Sequence, residues 1–179
     1  MTTMMDKVTE GTNTIFHMLF DREPLNYIEG AVLYGIVGQG RINMGILEVM
    51  YNQAQDSELK ALIKDALENQ TEFLMEKAES YLKSNETKLP EFHMERRKLH
   101  ESLNIPEDAR LSDREIVLAI ASMAKASQIA VLTALHQSYQ PDVAQLYRRI
   151  LDISFDWNYK LMTLAINNGW LPHIAKISH

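Results

Sequence analysis

No cysteine occurs among the 179 residues, so disulfides, thiolate metal sites, iron-sulfur clusters and a cysteine nucleophile are all excluded. Basic charge is also short. Lys and Arg number 18 against 24 Asp and Glu, a net charge of -6, and the one dense basic run is Arg96-Arg97-Lys98, which argues against a nucleic-acid partner. Long apolar runs are missing as well: Ala126–Pro141 and Leu161–Ala175 carry Gln, Ser, Asn or His, and neither reaches the roughly 20 apolar residues of a spanning helix. No membrane span is therefore expected. The start, Met1 to Lys7, has no basic region leading into an apolar core, so the expected location is the cytoplasm. At this length, one domain burying roughly 70% of its unfolded surface is the economical organisation.

Proline is scarce, and its placement sets the fold. The windows Pro24 to Pro90 and Pro106 to Pro141 are free of it, which permits long helices in both. The first helix is expected over about Leu25–Ala54, with Leu33, Val37, Met44, Leu47 and Tyr51 at helical spacing. A second begins near Asp56 or Ser57 and carries the stripe Leu59, Leu62, Ile63, Ala66, Leu67. The third opens on the capping box Ser112-Asp113-Arg114-Glu115 and runs to about Tyr139. The fourth starts at Pro141 and ends at Asn167-Asn168-Gly169, where a left-handed cap residue is expected.

Loop lengths then choose the topology. Short joints make the first two helices one antiparallel hairpin and the last two another. Residues 84–111 form a long linker between the hairpins, enough to cross the roughly 40 Å of such helices, with Glu91–Ser102 a candidate short helix on the way. The expectation is an all-α, ferritin-like four-helix bundle with one long crossover between helices two and three, over residues 25–179. Residues 1–24 form an N-terminal segment, a short amphipathic helix around His17 or partly disordered. An offset of 84 residues aligns Ile36 with Ile120, Leu59 with Val143 and Leu67 with Leu151, consistent with two copies of one hairpin.

Five of the seven glycines lie between positions 30 and 45. Gly35 to Gly40 does not match a G-x-G-x-x-G phosphate loop, and no strand precedes it. Since a mid-helix glycine costs up to about 1 kcal/mol, close helix packing or a dimer contact is the expected use of Gly35, Gly38 and Gly40, with Ala119, Ser122 and Ala124 as their counterparts on the third helix. A carboxylate di-iron site in such a bundle needs two Glu-x-x-His pairs, and the chain has none. Glu29, Glu76 and His136, near one end of the bundle, remain as the fallback metal trio. Asp152 and Asp156 sit among Arg148, Arg149 and Lys160 at ion-pair spacing, the pattern of a solvated charge ladder. No catalytic residue and no cofactor is expected.

Two stretches, Ile105-Pro106-Glu107-Asp108-Ala109-Arg110-Leu111-Ser112 and Asn168-Gly169-Trp170-Leu171-Pro172, resemble the ferritin-like spore coat proteins of endospore-forming bacteria, related to the coat F type and of unknown function. The resemblance spans about Leu25–Ile174. It implies the bundle fold, a non-catalytic structural or interaction role, location at the spore coat, and assembly with itself or with other coat proteins. It supplies no catalytic residues. Two alternatives stand beside it: a diverged metal-dependent oxidoreductase using the trio above, and a carrier of a small apolar ligand held between helices.

Overall fold

A computed structural model describes residues 24–171, so the N-terminal segment with His17, and Pro172, lie outside the described residues. Helix α1, Tyr27–Gln53, begins three residues after Pro24 because Asn26 and Glu29 form a capping box there. The second bundle helix comes in three sections. Asp56 caps α2, Ser57–Asp65, by accepting from the Leu59 amide at 2.8 Å. A π-helical segment, Ala66–Glu72, follows, and α3, Phe73–Ser84, completes the element. The Trp157 indole N–H donates to the Leu62 carbonyl at 2.8 Å, just ahead of the switch from α to π pairing. Helix α4, Asp113–His136, starts on the expected Ser112–Glu115 box and ends three residues sooner than the sequence suggests. Helix α5, Pro141–Asn167, closes as expected: Gly169 has φ of +65°, and the Trp170 amide reaches back to Ala165 O at 2.9 Å.

The described residues are all-helical, with one long crossover between the second and third bundle helices. Helix α1 packs on α3, α4 on α5, and α2 with the π segment on α5. The edge between α1 and α4 is the least closely packed of the four. Two apolar clusters fill the bundle ends. One gathers Tyr51, Leu59, Ile63, Ile116, Ile120 and Trp157, and the other Leu33, Val37, Leu82, Val143, Tyr147 and Leu151. Between these clusters α4 has no buried residue from Ala121 to Ala130. By length and composition alone, the stretch Glu107–His136 is apolar enough to cross a membrane. Of its large apolar side chains, Ile116, Val117, Ile120 and Val131 are buried, whereas Leu118, Ile129 and Leu132 are exposed.

Glu91–Ser102 is not helical. Several of its backbone groups are taken by side chains of α1 instead of by one another, and further along the crossover Glu107–Ala109 forms a 3₁₀ turn.

Candidate functional site

Along α1, positions 38, 41, 45, 48 and 52 share one face at alternating steps of three and four. They read Gly, Arg, Gly, Glu, Asn. Gly38 lies under Phe92 and Pro90, and Gly45 under Met94 and Arg97, so the two glycines let the crossover chain approach the helix. The polar residues between them hold it. Arg41 donates to Pro90 O and to Phe92 O at 2.7 Å, Glu48 accepts from the Arg97 amide at 2.7 Å and from the Arg96 side chain, and Asn52 pairs with both Lys98 O (2.9 Å) and the His100 amide (2.7 Å). Lys60 adds bonds to Tyr51 O (3.0 Å) and His100 O (2.9 Å). Its ammonium is held below its ordinary pKa by burial, against the raising pull of Glu101 and Asp113, and it lies 4.5 Å from the centre of the Tyr51 ring. Burial and a hydrogen bond to Glu101 raise the Tyr51 phenol. This seam belongs to chain routing, and it accounts for Gly38, which packs on the crossover and not on a helix.

Arg41 also pairs with Glu79 on α3 at 2.9 Å. Burial pushes the Glu79 carboxyl up, but hydrogen bonds from Arg41 and Lys83 outweigh it and hold the group below its ordinary 4.5. The ion pairs therefore contribute stability that is complete above that value and is lost as the pH falls through the lowered one. Chemical denaturation of wild type and Glu79→Gln should differ by about 1 kcal/mol at pH 6, with the gap closing as the pH falls below the ordinary 4.5 and through the lowered value. A gap independent of pH would overturn the assignment.

The fallback metal trio does not assemble. Glu29 is buried, and its Oε1 accepts from the Tyr139 and Gln140 amides, both at 2.7 Å, while Oε2 accepts from the Asn26 side chain at 2.8 Å. Glu76 and His136 are exposed. Among the described residues no group of three or more His, Asp or Glu side chains could hold one ion. The donors required by a carboxylate di-iron centre are thus not gathered here, and Glu29 is turned instead toward the start of α5.

The remaining small residues open a space. A cleft of about 550 Å³ lies along the α1–α4 edge and reaches down to the π segment and α5. Gly35, Gly40 and Ala124 line it. Gly40 is also in contact range of Met75, whereas Ala119 packs against the Trp157-side cluster and Ser122 is exposed. The lining follows the internal repeat. At an offset of 84 residues, Ile36 pairs with Ile120, Gln39 with Met123, Gly40 with Ala124, Asn43 with Ser127 and Leu47 with Val131, and every one of these faces the cleft. Ala66 with Ile150 and Gln70 with Ser154 extend the series to the second helix of each hairpin. The cleft therefore lies where equivalent faces of the two hairpins meet. The 84-residue offset and, as an alternative, an apolar space between helices are legible in the sequence; the place of the cleft on the α1–α4 edge and the part played by Gln70 are not.

A family model described as "Protein of unknown function (DUF3231)" matches residues 13–175. "Uncharacterized protein YvdQ" of Bacillus subtilis strain 168 is 25% identical over 149 residues, covering 83% of this chain and 86% of the relative. A solved structure from Bacillus halodurans, described as a "putative spore coat protein", superposes with a TM-score of 0.80 at 25% identity, covering 88% of this chain and 98% of that chain.

Proposed function

The chain belongs to the DUF3231 family, and on that premise we propose that it is a non-catalytic structural protein of the spore coat that associates with a second copy of itself through the outer face of α5. The observation that carries this reading is an apolar stripe in solvent. Phe155, Tyr159, Met162 and Ile166 are 53%, 67%, 46% and 59% exposed and are spaced four, three and four apart, the pattern of a coiled-coil seam. Four large side chains so exposed offer on the order of 400 Å² of apolar surface, the size at which a patch marks an interaction site. A stable dimer needs about 800 Å² per partner. Ile129, 57% exposed, adds to the same level of the hairpin, because its neighbour Gln128 reaches the Ser154 carbonyl beside Phe155. A self-complementary stripe on one helix is what a two-fold contact requires.

The buried acids support a structural reading, since Glu29 and Glu48 are both engaged by backbone amides. Coat location rests on the likeness to the Bacillus halodurans protein. Light scattering on the eluting protein should give about twice 20.6 kDa for wild type and 20.6 kDa for Tyr159→Glu/Met162→Glu, with helical content unchanged. A wild-type monomer at all concentrations overturns the association. Absence of the tagged protein from the coat fraction of purified spores overturns the location.

A further inference from the structure

The α1–α4 cleft is held open by the sequence. Gly35 faces it from mid-helix, and a Cβ built there meets nothing within 4 Å. A larger residue at that position would gain about 1 kcal/mol of helix propensity and would fill space, yet glycine stands there. From Val32 to Leu47 the cleft follows α1 for roughly 20 Å at the helical rise. Its volume falls in the range of small-molecule sites.

Lining chemistry narrows the occupant. No charged side chain lines the cleft among the described residues, so neither an anion nor a cation would find a counter-charge. Of its amides, Gln39 donates to Asn43 at 2.9 Å and Gln128 to the Ser154 carbonyl at 3.0 Å. Gln70, on the π segment, differs: its Nε2 is buried with no acceptor. A buried donor left without a partner costs about 1–3 kcal/mol, and π segments recur at functional positions. A water could satisfy that amide but would leave the apolar walls around it wetted. We infer that the cleft binds a neutral, elongated amphiphile, such as a long-chain alcohol or ester, whose oxygen accepts a hydrogen bond from Gln70 Nε2 while its chain lies between α1 and α4. This site is separate from the α5 stripe and stands whether or not α5 self-associates.

Fluorescence titration of the full-length protein tests it with two neutral probes, Nile red, which carries a carbonyl, and diphenylhexatriene, which has no hydrogen-bonding group. Wild type should bind one Nile red per chain, and dodecan-1-ol should displace it at least about tenfold more effectively than dodecanoate or dodecylammonium. Gly35→Leu, and Ala124→Leu from the opposite wall, should remove binding of both probes without lowering the melting temperature. Gln70→Leu should weaken Nile red about tenfold and leave diphenylhexatriene unchanged. The inference is overturned if the two filling variants bind Nile red like wild type, or if the charged competitors match the alcohol. Equal loss of both probes in Gln70→Leu overturns the role of the amide. Uptake seen only after deletion of residues 1–23, or falling as chain concentration rises, would assign the cleft to the chain's own N-terminal segment or to a second copy, and overturns it too.

Discussion

Replacing Glu29 by alanine is expected to lower the unfolding free energy by about 3 kcal/mol, a fall in Tm of roughly 6–12 °C. The carboxylate is 3% exposed and bonds two backbone amides at the start of α5, 110 and 111 residues away in sequence. Helix α5 has no cap bond from the side chain at its own N-cap, Gln140, so Glu29 supplies from α1 the anion that a helix N-terminus favours. The same carboxylate closes the Asn26 capping box of α1. One deletion thus weakens the starts of two helices. Glu29→Gln keeps an acceptor at that place and should cost about 1 kcal/mol. Denaturant titration with and without a chelator separates this account from a metal site: a stability loss that chelation of wild type reproduces would restore Glu29 as a ligand.

Glu48→Ala is the second large loss, expected at about 2–3 kcal/mol. Glu48 is 1% exposed and joins α1 to the crossover through the Arg97 amide and the Arg96 side chain. Arg96 itself is half exposed and keeps a bond to Glu72 at 3.0 Å, so its charge is not stranded when Glu48 goes. That places the figure below the 3–5 kcal/mol of a fully buried broken pair. Burial pushes the Arg96 guanidinium down, but the hydrogen bonds it donates to Glu48 and Glu72 outweigh this and raise it. The consequence is local as well as global. Limited proteolysis should cut the variant first within residues 90–101, and amide exchange should rise at Arg97 before it rises in α5. Equal rates across crossover and bundle would show that Glu48 does not clamp this segment.

Much of the fold was legible. Proline-free windows, the Ser112–Glu115 box and Gly169 located the helices to within a few residues, because capping and backbone conformation are decided within one helical turn. A long linker between two short-looped hairpins gave the crossover by chain geometry alone. The family resemblance named the same group of proteins that the comparisons return. Some signals in the sequence admit two readings. Asn26 and Glu29 stand at capping-box spacing, and the polar residues of the 38, 41, 45, 48, 52 series mark the α1 seam, whereas Gly38 reads by composition as a helix or dimer contact and packs on the crossover.

The sequence by itself determined four helices, their hairpin pairing and the single crossover, since these follow from short-range preferences and loop lengths. Only the tertiary structure decided what the buried polar residues do. A carboxylate such as Glu29 has the same composition and helical placement whether it meets a metal or two amides, and its partner lies 110 residues along the chain. The crossover's irregular path is not set by its own residues, because side chains of α1 and not local propensity satisfy its backbone. The α1–α4 cleft is a property of how closely two helices approach, and no single helix encodes that distance.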